Sequence, residues 1–407
     1  MASADLERLY ALLPTFEHQK GIRLFDDLSK DPANAAPILN EVLAVVSNHD
    51  DPQLHTPHGV LTVHAGRDLL RLTRPPGGLG LLRFLVLYNF SLQKRPLTTA
   101  QAEAEARRVP TADRDDMERA YRKVVLDGAG AKAAPLLGRI AFDHGIEAAG
   151  HLAIRVSLDD LGRLGHNLAT AAAYVDVARN LGLPRSLVTL ANLGHVQALA
   201  MKGGQGVEIP EFTDAGASEP DVERLARLVE DWEFDRVEGI LRRLAFEGLA
   251  DAAFRPLLIA ASADPGFLGH TLSLAHAARL ATRYLTPSEN AWLLWKLYRT
   301  LTTRFGYPEF LRLGAPSMAE PEGMLAALES SLRYKSPPAE ETVRRVLEAG
   351  VPLDAILAAI VDFYGNWTVG EKEHTISYLN AVLQTAKYLG KDEALLPLAI
   401  GLSKLPF

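Results

Sequence analysis

The chain has 407 residues, of which 48% are hydrophobic and 23% charged, a composition typical of a folded globular protein. Its net charge of −7 argues against nucleic acid as a partner, because phosphate binding requires a basic surface. The sequence has no cysteine, which excludes disulfides, thiolate metal sites and a cysteine nucleophile, and which is typical of a reducing, cytoplasmic environment.

Hydrophobic residues recur with the period of an α-helix along most of the chain, whereas strand-like alternation is scarce. We therefore predict an all-α protein. No basic-then-apolar leader is visible and no apolar run is long enough to span a bilayer, so we expect no membrane partner. The segments with a clear helical stripe are, in chain order, 36–46, 146–164, 167–180, 221–244, 272–284, 288–305, 340–349, 353–364 and 375–389.

Three stretches rich in proline and glycine interrupt this pattern, at 74–80, 203–220 and 306–321. The second lies near the middle of the chain, where a duplication would place its junction. We predict a single large helical domain, residues 1–407, built from two pseudo-repeated halves of antiparallel helices at about 1–205 and 218–407.

A pair of histidines recurs in the same local frame in both halves. PHGVLTVHAGR carries His58 and His64, and GHTLSLAHAAR carries His270 and His276, 212 residues later. Residues six apart on a helix are rotated by about 240°, so at most one histidine of each pair can face a given metal ion. Arg279 shares a helix face with the second of these pairs, although it could equally reach solvent or pair with a nearby Asp.

Neutral imidazole is the commonest metal ligand in proteins, and a cysteine-free site suits iron, zinc or copper. We expect His58 and His270 to be ligands. His64, His276 and Arg279 are then candidate catalytic residues at the wall of a substrate pocket.

Two other histidines compete for the next ligand position. His151 lies four residues after Glu147, which could orient its imidazole or form a surface ion pair. His166 opens GHNLATAAAYVD, which is similar to the segment that begins at His270, 104 residues later. His144 shares a face with His151 and is a further candidate. His49 and His55 lie in a polar turn and are expected to be exposed.

Four short motifs in order give the chain a resemblance to the questin oxidase-like family, all-helical proteins of fungal aromatic polyketide pathways and of many bacteria. The resemblance spans most of the chain, from the first motif to the C-terminus, and it favours His151 over His166 because Ile154 and Arg155 follow the former. SNH at His49 is a competing alignment for the first motif. The motifs are PHGVLTVHAG, GHLAIR, GHTLSLAHAAR and EHTIS, with His58, His151, His270 and His374.

The resemblance implies an oxygenase that acts on an anthraquinone-like aromatic molecule with Fe(II) and O₂, with NADPH as a candidate electron donor. It implies one iron per chain, held by four histidines and a carboxylated lysine. The helix predicted at 353–364 has no lysine, and Lys372 lies only two residues before His374. Asp362, Asp354, His144 or water could take that fifth position.

The missing lysine keeps two other functions open. One is a non-catalytic helical binding or scaffold protein that kept the fold, and the other is a zinc-dependent hydrolase. Aromatic residues that could line an apolar substrate pocket, or pack in the core, are Phe267, Trp292, Trp295 and Tyr298.

Overall fold

The computed structural model describes residues 4–49, 57–74, 77–211, 221–231, 233–301, 313–314, 321–367 and 372–405. Across these ranges the chain is all-α, as the hydrophobic periodicity predicted, and no strand occurs in them. No helix in the same ranges combines the length and the apolar character needed to cross a bilayer.

The chain forms two compact units. Unit 1 comprises Met1–Arg67 and Leu79–Val207, and unit 2 comprises Asp68–Gly78 and Glu208–Phe407. The step from unit 1 to unit 2 after Val207 falls inside the proline- and glycine-rich stretch 203–220. That the two units are repeats of one another stays a prediction.

Unit 1 contains helices α1 to α11, of which α4 ends in the segment assigned to unit 2. Side-chain caps begin several of them: Thr98 and Gln101 form a capping box at α6, and Asp113 accepts a hydrogen bond from the Asp116 N–H at α7. The helices are α1 (Ala4–Leu12), α2 (His18–Leu28), α3 (Ala35–Val46), α4 (His58–Leu70), α5 (Leu79–Ser91), α6 (Thr99–Arg108), α7 (Arg114–Leu126), α8 (Gly130–His144), α9 (Ile146–Ser157), α10 (His166–Leu181) and α11 (Ser186–Ala200).

The core of unit 1 is organised around α11, which is buried on almost every side. It packs against α8 and α10. Gly194 permits a close approach, since a β-carbon there would lie 2.8 Å from the carbonyl oxygen of Ala133 on α8. A helix that is buried on nearly all sides has no amphipathic stripe, and for that reason the periodicity did not mark this one.

Unit 2 contains helices α12 to α21. The stripe predicted at 221–244 is two helices, the first of which begins where the Asp221 carboxylate accepts a hydrogen bond from the Arg224 N–H. Within the unit, α15 packs against α14 and α20, and α13 packs against α16. The helices are α12 (Val222–Glu230), α13 (Phe234–Phe246), α14 (Phe254–Ala263), α15 (His270–Ala281), α16 (Pro287–Leu301), α17 (Pro321–Tyr334), α18 (Ala339–Glu348), α19 (Leu353–Trp367), α20 (Lys372–Leu389) and α21 (Leu395–Lys404).

Candidate functional site

Each unit contains a helix that begins with histidine and follows a loop of the same sequence pattern, D-x-G-x-L-G-H. In unit 1 the loop runs from Asp160 to His166, the first residue of α10, and in unit 2 it runs from Asp264 to His270, the first residue of α15. The third, fifth and sixth residues of both loops have positive φ, at 79°, 59° and 85° in unit 1 and 74°, 50° and 79° in unit 2.

The hydrogen bonds of the two loops are also the same. The Asp carboxylate accepts from the N–H of the glycine two residues later, at 2.8 Å for Gly162 and 3.0 Å for Gly266. The sixth-position glycine donates to the third-position carbonyl, at 3.0 Å and 3.1 Å. The residue after the histidine donates to the carbonyl of the residue after the Asp, at 3.1 Å from Asn167 and 2.9 Å from Thr271. The two loops therefore share one backbone conformation.

The histidine that ends each loop lies beside a second histidine of its own unit. In unit 1 the ring centroids of His166 and His58 are 5.5 Å apart, and in unit 2 those of His270 and His374 are 5.2 Å apart. All four side chains are half-buried. Two imidazoles that bind one ion at metal–nitrogen distances of about 2.1 Å have centroids about 5 Å apart. The spacing in each pair fits a shared metal ion.

His270 has a defined tautomer. Its Nδ1 lies 2.6 Å from the carbonyl oxygen of Phe267, and because a carbonyl only accepts hydrogen bonds, Nδ1 must carry the proton. In the neutral imidazole this makes Nε2 the basic nitrogen, which is the arrangement that metal-binding histidines usually have. The Phe267 ring lies parallel to the imidazole, at 5° and 6.2 Å between centroids, and is 71% exposed.

The histidine that the resemblance favoured lies elsewhere in unit 1. His151 is on α9 with its Nδ1 3.4 Å from a guanidinium nitrogen of Arg114. Glu147 forms an ion pair with Arg179 at 2.6 Å, so its carboxylate serves a surface contact, one of the two roles that its position allowed. His144 is exposed at the last residue of α8. Of these candidates, the structure brings His166 to His58.

His64 belongs to a buried charged cluster in unit 1 that includes a residue missed by sequence reasoning, Asp176. The His64 Nε2 lies 3.0 Å from the Asp176 carboxylate, which also accepts a hydrogen bond from the Arg67 guanidinium. His64 and Arg67 are 5% and 4% exposed. Burial alone would raise the pKa of Asp176, but the imidazole and the guanidinium outweigh it and hold this pKa well below its usual range. The signal in the sequence was a single acid in the apolar run AAAYVDVA.

Among the remaining predicted site residues of unit 2, Arg279 and Asp362 have structural partners. His276 is buried on α15. Arg279 pairs with the Asp251 carboxylate at 2.7 Å and lies 4.0 Å from the Tyr388 ring centre, so it takes the ion-pair role that the sequence left open. The Asp362 carboxylate accepts a hydrogen bond from the Gly78 N–H at 2.5 Å and so stabilises a turn.

Of the predicted aromatic residues, three have partners of their own in unit 2. Tyr298 is buried and its hydroxyl donates to the Ala253 carbonyl. Trp292 and Trp295 lie under Lys296 and Arg299 in cation–π contacts, at 4.6 Å and 5.0 Å to the ring centres. Phe267 differs, because it is exposed and lies next to a candidate ligand.

The prediction that His49 is exposed is wrong. Its exposed fraction is 6%, and its Nδ1 accepts a hydrogen bond from the Gly59 N–H at 3.2 Å. That hydrogen bond holds this segment against the start of α4, and a backbone bridge to Lys94 holds it against the chain that follows α5. His55 lies outside the described residues, as do the side chains of Lys372 and Glu373.

No protein-family model, curated protein or solved structure matches this chain. The questin oxidase-like resemblance therefore stays a prediction, and functional inference rests on the geometry of the site.

Proposed function

We propose that the protein is a metal-dependent oxidoreductase that binds metal through the histidine pair of each unit and acts on a small aromatic molecule. The observation that carries this proposal is the His270 imidazole, which is held in one tautomer by the Phe267 carbonyl with its ring centre 5.2 Å from that of His374. A histidine that only filled the core would not need both a fixed tautomer and a second imidazole at that spacing.

The choice of metal follows from the donor atoms. Imidazole without thiolate suits iron, zinc and copper, and an iron ion, when bound, supplies redox chemistry with O₂. The chain itself would hold the imidazoles at the starts of helices, orient them and limit the access of water. We propose His166 as a ligand in place of His151, because it is the ring beside His58.

An aromatic substrate is supported by the position of Phe267. Its ring is exposed and parallel to that of His270, so a planar molecule stacked on it would lie next to the histidine pair of unit 2. Scattered exposed aromatic residues are common on proteins. The direct hydrogen bond between the Phe267 carbonyl and the candidate ligand distinguishes this one.

Metal analysis of protein purified without added metal tests the proposal. We expect bound iron. His270→Ala and His374→Ala should lose the ion held by the unit 2 pair, and His166→Ala should lose the ion held by the unit 1 pair. His151→Ala, the matched control from unit 1, should retain both. The same measurement gives the stoichiometry: two ions per chain if each pair binds its own ion, against the single ion per chain that the family resemblance implies.

Each contrary outcome points to a different function. Stoichiometric zinc without oxygen consumption would favour the hydrolase. Absence of any metal, with all four variants folded like the parent protein by circular dichroism, would refute metal binding and leave the scaffold. Loss of metal in His151→Ala but not in His166→Ala would restore the ligand set that the family resemblance implies.

A further inference from the structure

We propose that the loop D-x-G-x-L-G-H is an element that positions the imidazole at its end for metal binding, and that Asp160 and Asp264 are its positioning residues. It occurs once in each unit, before His166 and before His270. Since it concerns the same histidine pairs, this proposal rests on the metal binding proposed above.

The loops keep an unfavourable conformation at the same place. Leu164 and Leu268 have φ of 59° and 50°, a region that residues with a side chain avoid. A glycine in place of either leucine would adopt this φ with less strain. Leu164 is also 43% exposed, so burial of its side chain does not account for the strain. Strained backbone that recurs beside the same residue type points to a function for the loop.

The Asp carboxylate fixes the first half of the loop. By accepting the N–H of the glycine two residues later, it sets the turn from which the chain enters the helix with histidine as its first residue. Asp160 and Asp264 are exposed, so their hydrogen bonds contribute little to the stability of the core. Their main effect falls on the loop and on the imidazole that follows it.

The unit 2 loop also fixes the tautomer of its histidine. Phe267, the fourth residue of the loop, supplies the carbonyl oxygen that receives the His270 Nδ1 proton. A change in the loop backbone would therefore release the ring from its orientation and allow the other nitrogen to carry the proton.

The same loop is fitted against the helix that carries the second histidine of the pair. Gly269 lies under the ring of Tyr378, and a β-carbon at this position would overlap that ring. Tyr378 is four residues after His374 on α20, so both side chains lie on one helix face. The loop thus sets the position of His270 relative to His374.

Titration with Co²⁺, followed by visible absorption, tests the proposal. We expect Asp264→Ala to raise the Co²⁺ dissociation constant by about 10- to 100-fold and to alter the ligand-field bands, as the loss of a group that orients a metal ligand typically does. Asp264→Asn keeps an acceptor oxygen and should restore both properties. Asp221→Ala removes a comparable carboxylate-to-N–H bond at α12 in the same unit and should bind Co²⁺ as the parent does.

Equal affinity and an unchanged spectrum in Asp264→Ala would refute the proposal, as would an equal loss in Asp221→Ala. If Asp264→Ala does not fold, Asp160→Ala applies the same test to the unit 1 loop, with Asp113→Ala as its control.

A nitrogen-15 NMR measurement of the His270 tautomer separates the loop from the metal. The proposal requires a protonated Nδ1 in the metal-free parent and a mixture of tautomers in Asp264→Ala. If the parent binds no Co²⁺ but this difference is seen, the proposed function fails and the positioning role of the loop stands. If Co²⁺ binds and the tautomer is the same in both proteins, the positioning role fails alone.

Discussion

The cluster of His64, Arg67 and Asp176 offers a quantitative test of what stabilises unit 1. Replacing Asp176 with alanine removes the carboxylate that a guanidinium with 4% exposure contacts. Removal of one partner from a buried ion pair costs about 3–5 kcal/mol. Because the Asp176 side chain keeps 24% exposure, water can compensate in part, and we expect a loss of about 3 kcal/mol, at the lower end of that range.

Urea denaturation at pH 7, followed by circular dichroism, measures this loss. Asp26→Ala is the control, since Asp26 pairs with Arg83 in the same unit with both side chains nearly half exposed, and exposed pairs contribute at most about 1 kcal/mol. In the double variant Arg67→Met with Asp176→Ala, much of the stability should return, because no buried charge is left. If the free energy of unfolding of Asp176→Ala falls by less than about 1 kcal/mol, the pair contributes no more than an exposed ion pair and the reasoning is refuted.

The same variant should show a pH dependence with a definite sign. The pKa of Asp176 is lowered in the folded protein, so the carboxylate contributes stability above its unfolded pKa of about 4, and this contribution is lost as the pH falls towards the folded value. The stability difference between parent and Asp176→Ala should therefore be constant from pH 7 to about pH 5 and shrink below about pH 4. A difference that grows on acidification would contradict the assigned direction.

Two further substitutions test contacts in unit 2. Gly269→Ala should reduce both thermal stability and metal content, because its β-carbon would overlap the Tyr378 ring. Gly248→Ala is the control, since Gly248 has a similar φ of 74° and a β-carbon there would have no atom within 4 Å. Its free energy of unfolding should fall by only about 1–2 kcal/mol. Equal effects of the two would show that strain alone matters. Arg279→Lys removes the paired hydrogen bonds to Asp251 and should therefore lower the unfolding midpoint by a few degrees. Its metal content should stay unchanged, and a loss of metal would instead place Arg279 at the site.

The helices were largely predictable because amphipathic periodicity is a local property. The stripe at 36–46 corresponds to α3, and that at 340–349 to α18. The stripe at 221–244 concealed a break between α12 and α13, since apolar residues on both sides of the turn kept the same phase. The largely buried α11 had no stripe to detect.

The candidate ligands were predictable as a set of histidines but not as pairs. The residues that favoured His151 have other roles in the structure. Ile154 is fully buried, and Arg155 donates to the Asp159 carboxylate and to the Val207 carbonyl. A short motif of this kind is therefore compatible with packing alone.

By itself, the sequence determined the helical class, the absence of thiolate chemistry and the small number of imidazoles from which any metal site must be built. Only the tertiary structure decided that His166 lies beside His58 and that Asp176 joins His64. Both contacts link residues more than 100 positions apart, and they depend on how α4 and α10 pack. Such packing arises from the summed fit of many side chains, which no local pattern of residues contains.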